Sequence, residues 1–226
     1  MSAPAPRFHP PQQSRSVETL GRILDAAERV LEEKSFSEAT LAEIMERAGV
    51  TVGAFYRRFP DKDALLHHLD ERFFAQMRDL ADELLSPARW DGAPLSRVIA
   101  QLAAVAVPVY RHRRGLLRTL FIRARGDTKI QESSRELHGR LLEHLRVLAE
   151  ARREEIGHPN PVAAVALGFR LFMGGLRECV IFGEVWPSDT GLTDEEFAHE
   201  LARAYLGYLG ITTPVHIPRH DSDQPS

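Results

Sequence analysis

Tyr56, Arg57, Arg58 and Lys62 stand together in the short run YRRFPDK and offer two guanidinium forks, an ammonium and a phenolic hydroxyl. Such groups take hold of phosphate oxygens, so the chemistry on offer is recognition of a nucleic-acid backbone rather than the making or breaking of bonds. A short basic cluster is most often a solvated surface. What gives this one a meaning is the segment that must position it.

That segment is TLAEIMERAGVTVGAFYRRFPDK, from Thr40 to Lys62. Thr40 followed three residues later by Glu43 has the form of a capping box, which starts a helix. Leu41, Ile44, Met45 and Ala48 then recur at the spacing of one helical face, and Gly49 stands where a helix end most easily takes positive φ. Val50 is placed to be buried in the turn, Thr51 to cap a second helix, and Pro60 to stop it after about two turns. At roughly 100° per residue, Phe55 and Phe59 share one side with Val52 nearby, while Arg57 lies opposite, between Gly53 and Ala54. Helix, glycine turn and short second helix form the pattern of a DNA-reading helix-turn-helix. Base readers are expected at its centre and phosphate positioners around them, drawn from Thr40, Thr51, Val52, Gly53, Ala54, Tyr56, Arg57, Arg58 and Lys62.

These residues, as AGVTVGAFYRRFPDKDALL, resemble the TetR family of bacterial transcriptional regulators, and the resemblance covers about Ser16 to Leu66. Two features depart from the family pattern. EKSF, from Glu33 to Phe36, lacks the glycine usual after the first helix, and Gly53 costs about 1 kcal/mol of helix propensity within the reading helix. The resemblance implies a homodimer that binds a double-stranded DNA operator with inverted-repeat symmetry. It also implies a helical body whose cavity admits a small hydrophobic or amphipathic effector, with the long helix after Asp61 carrying the response to the readers. Blocking of polymerase, hence repression, is the family habit. A DNA-binding adaptor that acts through a protein partner without sensing a ligand is the alternative reading.

The rest of the chain must support the reader. Leu20, Ile23, Leu24, Ala27, Val30 and Leu31 make an apolar stripe over Val17 to Lys34, a first helix to brace the motif. Asp61 can cap a long helix in which Leu66, Leu69, Phe73, Met77, Leu80 and Leu84 hold one face until Ser86 and Pro87. Further helices are expected from Pro94 to Tyr110, Arg114 to Arg125, Thr128 to Ile156, Pro161 to Val185 and Asp194 to Leu209, with no strand pattern. The fold class is therefore all-α. Residues 1–14 are expected as a disordered proline-rich tail, 15–62 as the helix-turn-helix domain, 63–210 as a larger ligand-binding and dimerisation domain, and 211–226 as a second disordered tail. Arg7 and Arg15 suit either a minor-groove arm or a plain tail.

With 43% hydrophobic residues in 226, the chain can bury a proper core, and a net charge of -3 excludes a general nucleic-acid coat. DNA binding must come from a local face. The single cysteine, Cys179, rules out an intrachain disulfide, fits a reducing cytoplasm, and in an apolar helix is expected to pack. The helix from Pro161 is apolar on nearly every side, although Arg170 and Arg177 argue against a membrane span. Ala164, Gly168 and Gly175 share a side that lets another helix approach, and Phe197, Leu201, Tyr205 and Tyr208 stripe the last helix. These two helices are expected to pair with their copies across a twofold axis.

For the cavity that the resemblance implies, the candidates are Leu102, Val105, Val109, Leu117, Phe121, His138, Leu141, Phe169 and Met173, although most apolar positions of these middle helices read equally as plain core and His138 as a partly exposed histidine on a helix edge. The arginine-rich run from Arg111 to Arg125 reads as a solvated turn rather than as an anion site. No P-loop, dinucleotide glycine fingerprint, HExxH or GxSxG turn is present, and His67, His68 and Glu71 lack an evident third partner for a metal. No enzyme, cofactor or metal is expected.

Overall fold

The computed structural model describes residues 12–183 and 191–212. Every regular element among them is helical: α1 (Gln12–Glu33), α2 (Leu41–Ala48), α3 (Val52–Tyr56), α4 (Lys62–Leu84), α5 (Leu95–His112), α6 (Arg114–Arg123), α7 (Thr128–Glu150), α8 (Pro161–Leu176) and α9 (Asp194–Leu209). Of the tails expected at 1–14 and 211–226, residues 1–11, including Arg7, and 213–226 lie outside the described residues, as does the segment 184–190. The first helix begins earlier than its apolar stripe suggests, at Gln12. None of the described helices is long and apolar enough to cross a membrane.

The chain divides into two compact units, Met1–Leu69 and Asp70–Ser226. The division falls inside α4 rather than at its start, so this helix serves both. In the first unit, α1 buries Ile23, Leu24, Ala27, Val30 and Leu31 against Ile44 and Ala48 of α2, with Phe55, Phe59, Leu65, Leu66 and Leu69 completing the core. Phe55 and Phe59 rest ring to ring at 5.2 Å, and His68 meets Phe59 edge-on at 5.2 Å.

In the second unit, α9 packs on α5 and α8, and α8 also meets α7. Local signals set the starts. Asp61 accepts from the Ala64 amide at 2.7 Å, Asp127 from the Lys129 amide at 3.0 Å and Asn160 from the Ala163 amide at 3.1 Å. Thr193 and Glu196 form a reciprocal capping box at α9.

Two ends differ from expectation for tertiary reasons. The α7 helix stops at Glu150 instead of continuing to Ile156, because the residues beyond it serve the start of α5. Glu155, in a 3-10 turn, accepts from the Leu95 amide at 2.8 Å, and Arg152 donates to Ala93 O at 2.6 Å. The residue before α5 is Pro94, whose side chain cannot cap, so a remote carboxylate does so. The α8 helix ends at Leu176 and passes into a π-turn, Arg177–Ile181, whose last carbonyl receives the Arg118 guanidinium at 2.8 Å. A second 3-10 turn, Pro87–Trp90, went unread in the sequence; there Trp90 Nε1 donates to Leu84 O at 2.7 Å.

Candidate functional site

Two threonines set the reader. Thr40 Oγ1 accepts from the Glu43 amide at 3.2 Å and Thr51 Oγ1 from the Ala54 amide at 3.2 Å, so each short helix starts on a satisfied amide. The expected reciprocal half of the Thr40 box is missing. The Glu43 carboxylate is drawn instead to Lys34 and Arg47, at 3.0 Å each, since two cations attract it more strongly than one amide. Gly49 closes α2 at φ 62°. Arg22 of α1 donates to Ala48 O at 3.3 Å, which ties the turn to the bracing helix.

Phe55 points into the core, and this leaves Val52, Gly53, Tyr56 and Arg57 facing outward with Ala54 half-buried. Val52 is 60% exposed and so belongs to the outer face rather than beside the phenylalanines. Tyr56 is 49% exposed, yet its ring meets Phe55 edge-on at 5.5 Å, so the hydroxyl is presented from a fixed ring. Among the described residues, the Arg57 side chain has no hydrogen bond or ion pair. Arg58 is partly engaged, donating to Ala54 O at 3.0 Å and to Ser16 Oγ at 2.9 Å.

Lys62 requires a correction. Its ammonium donates to the carbonyls of Phe36 and Ala39 and lies 4.4 Å from the Phe36 ring centroid. Burial lowers its pKa. Lys62 is held by these carbonyls rather than turned toward a phosphate.

The second unit contains a cavity of about 480 Å³ walled by α4, α5, α6, α7 and α8. Leu102, Val105, Val109, Leu117, Phe121, His138, Leu141 and Met173 all line it. Phe169 does not: it is wholly buried behind the wall, with its ring 4.9 Å from that of His138. Burial first, and the Arg170 charge second, lower the His138 pKa, which favours a neutral imidazole. Beside the cavity, Asp82 of α4 is clasped by Arg140 at 2.5 Å and His144 at 2.9 Å, and these partners hold its carboxyl well below the usual carboxylate range. Sequence reading missed Tyr110, Ser134, Arg170 and Arg177 in the wall. The available signal was the seven-residue spacing of the two arginines, which puts them on one side of α8 and of the turn that continues it.

The small residues of α8 also need correcting. The helix they admit is α9 of the same chain: a Cβ on Gly168 would meet the Tyr205 ring and one on Gly175 would meet Leu201. Ala164 and Tyr205 are buried in this intrachain contact, and Phe197, Leu201 and Tyr208 are half-buried. The apolar residues left outward on α8 are Val162, Leu167 and Leu171. Cys179 is exposed rather than packed, because the π-turn rotates it outward from the α8 core face.

The family model for bacterial regulatory proteins of the tetR family matches residues 23–69, which takes in the helices of the first unit around the turn. Residues 23–69 thus carry the tetR-family domain. The HTH-type transcriptional regulator AcrR of Shigella flexneri is 39% identical over 79 residues, covering 35% of this chain and 36% of its own length. The regulator YdgC of Bacillus subtilis is 34% identical over 73 residues, covering 32% and 37%. The chain thus spans little more than a third of the length of these two curated relatives. The whole fold is similar to that of a TetR-family regulator from Mesorhizobium loti, with a TM-score of 0.64 and 18% identity over 87% of this chain and 97% of the other. For the body, this likeness concerns fold alone. Relatives of the reading domain are named as transcriptional regulators rather than enzymes.

Proposed function

We propose that this protein is a cytoplasmic homodimeric repressor that reads an inverted-repeat operator through α3 and releases it when a small hydrophobic or amphipathic molecule fills the cavity. The observation that carries the reading is the outward face of α3, where Val52, Gly53, Tyr56 and Arg57 stand exposed on a helix capped by Thr51 and anchored by Phe55. Thr40, Ala54 and Arg58 border that face, and the short helix contacts too few bases to select a site alone. A twofold pair doubles the readout and imposes the symmetry of the operator.

Leu167, Leu171 and Val162 are suited to form the centre of that pairing, because their apolar surface stands exposed among the described residues, with the half-buried Leu201, Phe197 and Tyr208 at its edge. The cavity favours a ligand-sensing protein over an adaptor, whose body would have no need of an unfilled space. A ligand that binds better to the conformation with mis-spaced readers shifts the population off DNA, by no more than its differential affinity for the two states.

Selection from random duplexes by the purified protein tests the reading. Recovered sites with two half-sites about one helical turn or more apart, bound at two chains per site, are expected; recovery without symmetry or without enrichment would reject it.

A further inference from the structure

The cavity that the preceding section reads as the effector site has an uneven distribution of charge. Arg170 and Arg177 line it, and among the described residues no aspartate or glutamate does. Among the described residues neither guanidinium is in an ion pair. Arg177 begins the π-turn that Arg118 fastens through Ile181 O, and its guanidinium carbon lies 6.0 Å from the centroid of the Phe121 ring in the cavity wall.

Tyr110 supplies an independent observation. It lines the same cavity at 8% exposure, and its hydroxyl has no hydrogen-bond partner among the described residues. The ring is buried while the hydroxyl is left open to a partner in the cavity, the arrangement by which a tyrosine presents a polar tip from an apolar body. Tyr110 and Arg177 share a neighbour in the wall: the Phe121 ring centroid lies 6.4 Å from that of Tyr110 and 6.0 Å from the Arg177 guanidinium carbon. A planar guanidinium fork and a nearby unsatisfied hydroxyl, both donors, make a corner that suits a planar, two-oxygen anion. The neighbouring walls, including Leu102, Leu117 and Met173, are apolar and suit a hydrocarbon body.

We propose that the cavity selects carboxylate-bearing amphiphiles, whose head is held by the Arg177 guanidinium and the Tyr110 hydroxyl while Arg170 adds to the positive field and the apolar body fills the remainder. This assignment rests on the reading of the cavity as the effector site. A cationic amphiphile of the same shape meets two like charges and is rejected.

Calorimetric titration of the full chain with dodecanoate, dodecan-1-ol and dodecyltrimethylammonium, each below its aggregation threshold at pH 7.5, separates the possibilities. Dodecanoate is expected to bind about tenfold more tightly than the alcohol, as for a charge-assisted hydrogen bond, with the ammonium weakest. That preference should fall toward unity in Arg177→Gln, fall part-way in Tyr110→Phe and be partly kept in Arg177→Lys. Alcohol binding as tightly as carboxylate, or a preference unchanged in Arg177→Gln, overturns the charge selection while leaving the cavity a binding site. Absence of binding by all three overturns the effector site itself, and the selection with it. Arg177 is exposed, so Arg177→Gln remains a readable variant if Tyr110→Phe fails to fold.

Discussion

Gly168 of α8 faces Tyr205 of α9 so closely that a Cβ on the glycine would fall 2.3 Å from Tyr205 Cε2. The ring has little room to yield, because it is buried and its hydroxyl donates to Val165 O at 2.8 Å. Gly168→Ala should therefore destabilise the body by about 1–3 kcal/mol, the usual cost of overpacking. Urea unfolding followed by circular dichroism checks this; an unchanged midpoint would mean that the two helices are not held at this distance.

Lys62 gives a second expectation, opposite to that for a phosphate contact. Lys62→Met keeps the stem but strands the carbonyls of Phe36 and Ala39, so it should cost about 1–3 kcal/mol of stability while the salt slope of DNA binding stays as in the parent. A slope reduced by about one with stability intact would instead place the ammonium on a phosphate.

His138 should impose a pH dependence of known sign. Its pKa is lowered from 6.5 in the folded chain, chiefly by burial, so the unfolded chain takes up the proton first as the pH falls. Stability contributed by the neutral imidazole is whole above the unfolded value and is lost as the pH drops from there toward the folded one. In His138→Gln the loss between pH 7.5 and 5.5 should be smaller than in the parent. Identical losses would show that the imidazole titrates as freely as in the unfolded chain.

Leu171 is 57% exposed and Leu167 46% exposed on the same helix. A glutamate at Leu171 buries no charge within the chain, so folding should change by about 0.5 kcal/mol or less. At a twofold contact the two carboxylates would be desolvated near one another, and the dimer should dissociate at micromolar concentration in sedimentation velocity. A dimer that persists would move the contact elsewhere.

What the sequence makes legible here is what short-range hydrogen bonds and periodicity decide. Thr40, Thr51, Asp61, Asn160 and Thr193 announce their helices because each cap is satisfied within a few residues. Apolar spacing likewise marks the inward positions of the middle helices, and most of those named as cavity candidates line the wall. Partners far apart in the chain stay hidden. Nothing local to Lys62 indicates Phe36, nothing near Glu155 indicates the bare start of α5, and the glycines of α8 announce a close helix without saying whose. Phe169 has the right spacing for the cavity but stands one layer behind it, a distinction that depends on how α7 and α8 pack.

The most direct test concerns Arg57. Binding of the purified protein to the DNA flanking its own gene should be specific and salt-sensitive. Arg57→Ala should weaken it by about 1–3 kcal/mol and, if the guanidinium meets a phosphate, reduce the slope against log salt by about one. Binding that ignores sequence, or that is the same in Arg57→Ala, would contradict the assignment of the outward face of α3 as the DNA-reading surface.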